Sequence, residues 1–250
     1  LFTELDDDVT SARWEAIWPI LTARSSIELS AGGEHGQKAR TYRQTQLSLG
    51  VLGVADPEIL EGPLTDVFSN DNITNPGNQF VLDLAGTNNQ SYLAATMTDA
   101  LFGKIDWTLD DKWRVSAGAR WEDYRQVALD WNIYSFSTSS PQVSNDPDVF
   151  ARGAFQNDQI YPSGSLTYMT QWWAEVCQLR FGWSKTVVRP DLREMTDASY
   201  IDARTGFLTD GNPDVRPADF MNVDMRAEWI FNNSDTFTVT LYHKEIDNPI

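Results

Sequence analysis

Charged side chains recur at every second position in parts of this sequence, as they would along one face of a β-strand. Asp224, Arg226 and Glu228 follow one another in this way, and Arg114, Ser116, Arg120 and Glu122 share one face of an earlier segment. Guanidinium and carboxylate groups on neighbouring strands can pair with each other or can hold a polar ligand. Structural pairing is the simpler interpretation. The predicted network comprises Arg114, Arg120, Glu122, Arg180, Asp224, Arg226 and Glu228.

The sequence contains no pattern that is typical of a catalytic or metal centre. The motifs HExxH, CxxC and GxSxG and the phosphate-binding loop are absent, and His35 and His243 are far apart. Clusters of Asn and Asp at 70–72 and 145–148 could ligate Ca²⁺, but they lack the ordered spacing of a calcium loop. Solvated loops explain them more simply. We predict no catalytic residue, no metal site and no cofactor.

Aromatic and charged residues in or beside two long connecting segments are the candidate ligand contacts. Binding groups concentrate on loops that a rigid scaffold holds in place. The alternative is that these side chains only pack within their own loops. The candidates are Tyr134, Phe136, Tyr200, Asp202, Arg204 and Phe207.

The segments that must position these residues are predicted to be long strands with two different faces. From Leu93 to Leu109 every second residue is mostly apolar, and the same period resumes after the turn at 110–112. Such runs are about twice the usual strand length of about 5 to 6 residues. Long strands with one apolar and one charged face favour a transmembrane β-barrel, with the charged network facing a wet lumen.

The fold prediction is all-β: a fragment of an antiparallel transmembrane β-barrel with about eight long strands in four hairpins. Short turns alternate with long connections near 56–90, 135–157 and 190–217. Tryptophans gather at the short turns, as in the aromatic girdle of a membrane barrel. Three charges break the apolar faces, and each is expected near a strand end, where facing lipid costs least. They are Asp99, Glu175 and Lys185.

Composition excludes several functional classes. The net charge of −17 argues against a nucleic-acid partner, because binding phosphates needs a basic surface. No stretch of about 18 uncharged apolar residues is present, so a transmembrane helix is not expected. The single cysteine, Cys177, cannot form an internal disulfide and is expected to be a small apolar side chain of a strand.

Several motifs, in a particular order, resemble one protein family. Residues 189–195 read RPDLREM, residues 211–217 read GNPDVRP, residues 222–229 read NVDMRAEW and residues 241–250 read LYHKEIDNPI. Together they resemble the late barrel region of TonB-dependent outer-membrane receptors, and GARWE at 118–122 is similar to another strand of that family. The sequence departs from the family after the second proline of the GNP turn, where Ala-Asp replaces a frequent Glu.

The resemblance implies a partial receptor barrel over residues 1–250, without a plug domain and without the last strands. It implies short periplasmic turns, long extracellular loops and a place in the Gram-negative outer membrane. The implied function is energy-coupled uptake of a scarce bulky nutrient, either a ferric siderophore or an oligosaccharide. The implied partners are outer-membrane lipid and a TonB-type energy-coupling protein, contacted through the missing N-terminal part. No enzymatic activity is implied.

Two alternatives remain at this point. A soluble acidic β-sandwich could bind or hydrolyse glycans with its aromatic rings and carboxylates. A passive porin-like channel would share the strand pattern but would need no energy coupling. In the sandwich, one dry core would collect Leu101, Ile105, Leu179, Phe181, Val223 and Met225.

Overall fold

Eight long strands of this chain pair side by side in one antiparallel sheet. The computed structural model describes residues 2–45, 47–52, 57–84, 91–130, 147–196, 198–201, 204–232 and 235–249. Within these ranges the strands are β1 (Phe2–Leu21), β2 (Ser25–Thr45), β3 (Leu47–Val51), β4 (Phe80–Leu84), β5 (Tyr92–Leu109), β6 (Trp113–Asp130), β7 (Ala154–Thr170), β8 (Val176–Val188), β9 (Ser199–Ile201), β10 (Leu208–Asp210), β11 (Ala218–Ile230) and β12 (Thr236–Asp247). The order in the large sheet is β1-β2-β5-β6-β7-β8-β11-β12.

The four predicted hairpins are confirmed, and the pairing continues from each hairpin to the next. Because side chains alternate between the two faces, residues paired across strands share a face. One row of such partners is apolar from edge to edge: Ile20, Ile27, Trp107, Val115, Leu166, Phe181, Met225 and Leu241. We call this side of the sheet the outer face and the opposite side the inner face.

The outer face is uncovered, which contradicts the sandwich alternative. Leu101 is 55% exposed and Met225 is 52% exposed, although a sandwich would have buried both. Leu179, Phe181 and Ile105 are exposed as well. Among the described residues, the remaining sheets are two-stranded pairs, β3 with β4 and β9 with β10. The apolar face of the long strands therefore belongs to one sheet that no second sheet covers among the described residues.

The first strand is longer than the sequence pattern indicated. The apolar alternation of this strand begins at Trp14, yet β1 starts at Phe2 because residues 2–12 continue the ladder along β2. Acidic residues at this end pair with basic residues of β2, including Glu4 with Arg43. Pro19 lies opposite Glu28 of β2 and, as a proline, donates no backbone hydrogen bond to the ladder.

The three charges that break the apolar faces have different positions. Glu175 directly precedes β8, and Lys185 lies three residues before the end of that strand, as expected. The expectation for Asp99 was wrong, because this residue lies well inside β5, seven residues from its first residue. The strand continues past Asp99 with Met97, Ala95 and Leu93 on the same face.

The long connections contain regular structure that the sequence pattern did not predict. The first holds 3₁₀-helices at Pro57–Leu60 and Pro76–Asn78 and two short helices, α1 (Leu64–Val67) and α2 (Asn70–Thr74). A third helix, α3 (Pro147–Gly153), precedes β7. In the described part of the chain, none of the helices has the length and apolarity needed to cross a membrane.

Candidate functional site

All seven residues of the predicted charged network lie on the inner face. Arg114, Arg180 and Arg226 belong to one cross-strand row, linked through Thr167. Arg226 pairs along its own strand with Glu228 at 3.0 Å. The inner wall therefore carries much of its charge as local pairs, which is consistent with a structural network.

Arg114 and Asp106 form a bidentate pair on this wall. The Nε and Nη2 atoms of Arg114 lie 2.9 and 2.8 Å from the two carboxylate oxygens of Asp106 on β5. Lys104 approaches the same carboxylate at 3.6 Å. Two parallel hydrogen bonds of this kind hold both side chains in a defined orientation.

Two members of the network differ from the others. Among the described residues, Arg180 and Asp224 have no ion-pair partner within 4 Å. Gly182 allows the carboxylate of Asp224 to lie close against the wall, because a Cβ atom at that position would come within 2.7 Å of a carboxylate oxygen. These two charged groups can interact with whatever occupies the space beside the inner face.

A chain of charges joins β2, β6 and the segment that follows β8. Arg120 lies 3.2 Å from Glu34 on β2 and 2.5 Å from Glu122 on its own strand. Glu122 in turn contacts the guanidinium of Arg189, which follows β8. Glu122 is only 7% exposed, so its two arginine partners must offset the desolvation of the carboxylate. The Arg189 guanidinium also lies 4.1 Å from the ring centre of Tyr124.

Arg189 opens a long connection that folds against the inner wall. We call residues 189–217, between β8 and β11, the strap. Its first turn has the hydrogen bonds of a helix start, since the N–H of Arg193 donates to Asp191 at 3.0 Å. The side chain of Glu194 accepts from the N–H of Asp191 at 2.7 Å. This reciprocal bonding explains why the RPDLREM segment turns sharply here.

The second motif of the strap crosses over this turn. The N–H of Asn212 donates to the carbonyl of Glu194 at 2.7 Å. A Cβ atom at Gly211 would lie 2.0 Å from the carbonyl oxygen of Thr196 and 2.7 Å from that of Arg193. Only glycine permits so close a crossing. The RPDLREM and GNPDVRP segments thus form one folded unit.

The strap buries apolar side chains on strands that are distant in the sheet. Leu192, Met195 and Ala198 are buried in a cluster with residues of β2, β5 and β6. Because the strap is attached to β8 and β11 but packs on β2 to β6, the inner face is the concave side of the sheet. The wall side of the cluster is formed by Tyr42, Tyr92, Ala94 and Ala128.

Arg40 fastens the strap to the wall near the long-connection ends of β1 and β2. Its guanidinium lies 2.6 and 2.9 Å from the two carboxylate oxygens of Asp7 and 2.9 Å from Asp191. Lys38 adds a contact to Asp7 at 3.1 Å. Arg40 therefore links β1, β2 and the strap through one guanidinium group.

The structure places the loop candidates only in part. Tyr134, Phe136 and Asp202 lie outside the described residues, and of Tyr200 only the backbone, in β9, is described. Arg204 and Phe207 lie between the two strands of the β9–β10 hairpin. Whether any of the six contacts a ligand stays a prediction.

The tip of this hairpin, residues 204–208, presents apolar surface to solvent. Phe207 is 73% exposed and Leu208 is 68% exposed. Gly206, with a φ of +72°, allows the chain to reverse there. The sequence pattern identified Phe207 but not Leu208, whose only signal was its position beside the ring.

Two members of the charge chain, Glu34 and Arg189, were not predicted from the sequence. Glu34 lies in the glycine-rich part of β2, where the polar face has no clear pattern. Arg189 had a signal, since it begins the RPDLREM segment. Its contact with Glu122 connects positions 67 residues apart, and no local pattern reveals such a pair.

The arrangement is suited to binding. The described residues contain no group of three or more His, Cys, Asp or Glu side chains that could hold a metal ion. Asp71, from one of the Asn and Asp clusters, lies in the first turn of α2. The site offers a concave wall of paired charges, a folded strap and an exposed apolar tip. These features suit a bulky ligand.

Two solved structures resemble this chain in fold. The ferric-catecholate import receptor Fiu of E. coli K12 superposes with a TM-score of 0.58 and 12% identity, covering 98% of this chain and 32% of that protein. The siderophore receptor PiuA of Acinetobacter baumannii gives a TM-score of 0.52, 12% identity, and coverage of 96% and 32%. This chain thus spans about a third of either structure. Among curated proteins, no match to the chain was found.

A family model covers almost the whole sequence. The model described as TonB dependent receptor-like, beta-barrel, matches residues 10–250. The match includes all of β2 to β12 and the whole strap. This chain belongs to the TonB-dependent receptor β-barrel family.

Proposed function

We propose that this chain forms part of the barrel wall of a receptor in the Gram-negative outer membrane. The receptor takes up a scarce bulky nutrient, a ferric siderophore or an oligosaccharide, with energy delivered by a TonB-type partner. The observation that carries the proposal is the division of each long strand into an apolar outer face and a charged inner face. Charged groups such as Arg114 and Arg180 are costly against lipid but stable beside water.

The strap and its hairpin contribute to ligand capture in different ways. The base of the strap is held by Arg40, Arg189 and the buried cluster, so it narrows the lumen as a fixed part of the wall. The hairpin tip carries Phe207 and Leu208 into solvent, where they make the first contact with the ligand. Exposed aromatic rings stack on catecholates and on the apolar faces of sugars, so the tip is compatible with both ligand classes.

The choice of ligand class draws on the family and on the names of similar proteins. Fiu is named a ferric-catecholate import receptor and PiuA a siderophore receptor. Both are only 12% identical to this chain, so their names guide the choice of probes and no more. A ferric catecholate, a ferric hydroxamate and a linear oligosaccharide cover the proposed range.

Binding and uptake of these three probes by cells that carry the complete protein test the proposal. We expect one probe to be taken up, and uptake to stop when a protonophore removes the energy supply. Phe207→Ala is expected to weaken binding of that probe about fivefold, or about 1 kcal/mol. Phe237→Ala, beside a short turn, removes another exposed ring and is expected to leave binding unchanged.

Two results would contradict the proposal. Uptake that continues without an energy supply would identify a passive channel. A complete protein that fractionates with the aqueous phase, without detergent, would remove the membrane placement altogether.

A further inference from the structure

On the outer face of the large sheet, the first Asp, Glu, Lys, Arg or His side chain of each strand lies 7 to 13 positions from the short-turn end of that strand. Counted from the short-turn end, the first such side chain is 10 positions away on β2, β5 and β6, 12 on β7, 9 on β8, 11 on β11 and 7 on β12. On β1 it is Asp8, 13 positions away. We call the following set the polar belt: His35, Asp99, Asp123, Asp158, Lys185, Asp219 and His243.

The polar belt follows the line of the short turns and not the cross-strand rows of the sheet. His35, Asp99, Asp123 and Asp158 share one row, but Lys185 is two rows closer to the short turns. The short turns step down in the same direction between the second and third hairpins, where β7 continues two residues past Tyr168, the partner of Trp113. The first and second hairpins are level with each other, and so are the third and fourth. In a barrel whose strands tilt by about 40°, a membrane plane crosses the rows obliquely in this way. Membership of the belt therefore explains why Asp99, a charged residue, lies on the outer face in the interior of β5.

Several side chains of the belt have polar partners on the same face. The Nδ1 atom of His35 lies 2.6 Å from a carboxylate oxygen of Asp99. Asp123 contacts Arg125 and accepts a hydrogen bond from Gln156 at 3.1 Å. Partners of this kind stabilise charged groups where contact with water is reduced but not lost.

Tryptophans flank the belt on its apolar side. Trp14 and Trp121 lie in the row directly below His35 and Asp99, and the indole N–H of Trp121 donates to Asp158. Trp183 occupies the same position relative to Lys185 on β8. An apolar ring with one polar group is favoured at the boundary between hydrocarbon and headgroups. The tryptophans thus mark the same boundary as the belt.

The apolar part of the outer face has the height of a bilayer core. About ten residues at about 3.4 Å each give about 34 Å of strand, and a tilt of about 40° reduces this to about 26 Å. Transmembrane β-strands have about 9 to 11 residues and an apolar band about 25 Å tall. The whole of β5 has 18 residues, which is far more than a bilayer requires.

We propose that the polar belt lies in the headgroup layer of the outer leaflet and sets the depth of the barrel in the membrane. This inference rests on the proposed membrane placement, with the long connections outside the cell. On the side of the belt away from the short turns, β2, β5 and β6 continue for many more residues than β8 and β11. A hollow of about 430 Å³ on the outer face then opens to lipid headgroups and not to acyl chains. Its lining includes Gln37, Ala39, Met97, Arg125 and Val127.

Cysteine accessibility in intact cells tests the position of the belt, with a membrane-impermeant maleimide as the probe. On β5, Met97→Cys lies two residues above the belt and Ile105→Cys six residues below it. On β8, Val187→Cys lies two residues beyond Lys185 and opposite Asp219 of the belt, and Phe181→Cys lies below the belt. The native Cys177 is fully buried and gives little background. Labelling of the complete protein in detergent shows that each new thiol can react.

We expect Met97→Cys and Val187→Cys to be labelled at least tenfold faster in cells than Ile105→Cys and Phe181→Cys. Val187 is the decisive position. Extending the β7–β8 register three residues past its last pair, Ser163 with Ser184, sets Val187 level with Ile160, the partner of Trp121. If the boundary followed the rows of the sheet, Val187→Cys would be protected, and the inference would be wrong while uptake stayed intact. Rapid labelling of all four positions would instead contradict the membrane placement itself.

Discussion

Arg40 and Asp191 form an ion pair of 2.9 Å across the concave face of the sheet, although 151 positions separate them in the sequence. Arg40 belongs to β2, whereas Asp191 belongs to the strap, which leaves β8. Three strands, β5, β6 and β7, lie between β2 and β8 in the sheet. The pair therefore joins the strap to a distant part of the wall, and together with the buried cluster it makes the strap a fixed element.

Asp191→Asn removes the charge that faces Arg40 but keeps an oxygen that can accept the hydrogen bond from Arg193. Because Asp191 is half-exposed, we expect the strap to lose only about 0.5 kcal/mol of stability against local opening. Hydrogen exchange at the amide of Asn212 is then about twofold faster. High salt is expected to reduce the difference, since it screens the charge interaction.

Asp214→Asn is the control for the ion pair. Asp214 lies in the same strap and is exposed, and its backbone N–H bonds the side chain of Asn212 in either variant. We expect no change in exchange elsewhere in the strap. If hydrogen exchange became equally faster in both variants, the loss of any negative charge, and not of the pair with Arg40, would explain the opening of the strap.

Met195 is the side chain of the strap that tests the buried cluster. It is 4% exposed, so Met195→Ala leaves a cavity and is expected to cost about 2 to 3 kcal/mol. The cost appears as local opening of the strap, measured by hydrogen exchange or limited proteolysis, while the strands remain folded. Leu208→Ala, at an exposed position, is expected to change stability by less than about 0.5 kcal/mol. Loss of the whole barrel in Met195→Ala would contradict a separate opening of the strap.

The two faces of β11 are expected to respond differently to a new charge. Met225 faces outward within the apolar part of the wall, and Asn222 faces inward three residues away. Met225→Arg is expected to destabilise the complete protein in lipid vesicles by about 2 to 4 kcal/mol. Asn222→Arg is expected to have a small effect, because water reaches the inner face. Heat-modified gel mobility of the reconstituted protein measures both, and equal effects would argue against an outer face in contact with lipid.

Arg24 and Asp110 join two short turns. Arg24 makes hydrogen bonds of 2.7 Å with both carboxylate oxygens of Asp110, and this lowers the pKa of Asp110. A carboxyl group whose pKa is lower in the folded protein than in the unfolded chain stabilises the fold at pH values above its unfolded pKa. This stabilisation is lost as the pH falls through its folded pKa. In Arg24→Gln we expect the pKa of Asp110 to rise toward that of an unpaired aspartate.

Carbon-13 NMR of the Asp110 carboxyl group measures this titration. Lys112→Gln serves as the control, because Lys112 acts on Asp110 only through a weaker charge interaction. We expect the pKa to rise much less in this variant than in Arg24→Gln. An unchanged titration in Arg24→Gln would mean that the two turns are not joined in solution.

Much of the sheet could be predicted from the sequence, for a simple physical reason. The alternation around Leu101 and Ile105 assigns a face to every residue of the strand, and shifting the register by one residue would reverse every assignment. The charged network from Arg114 to Glu228 follows from the same rule. The short helices of the first connection did not follow from it, since helices of four or five residues are too short to show an amphipathic period.

The ligand candidates were harder to predict than the wall. Phe207 was identified because an aromatic residue in a long connection stands out, and the structure shows that its ring is exposed. The fixed base of the strap was not identified, because the contacts of Arg189 and Met195 lie on strands far away in the sequence. For this reason the sequence suggested one long loop where the structure has an anchored strap with an exposed tip.

The sequence by itself determined which side chains share a face of each strand, which strands form hairpins, and to which family the chain is similar. These properties depend on neighbours within a few residues and on the two-residue period of a strand. Only the tertiary structure decided at which level of the sheet Lys185 lies relative to Asp99 and how Asp191 reaches Arg40. The first depends on the registers of the strands from β5 to β8 and the second on the curvature of the sheet, and no local pattern encodes either.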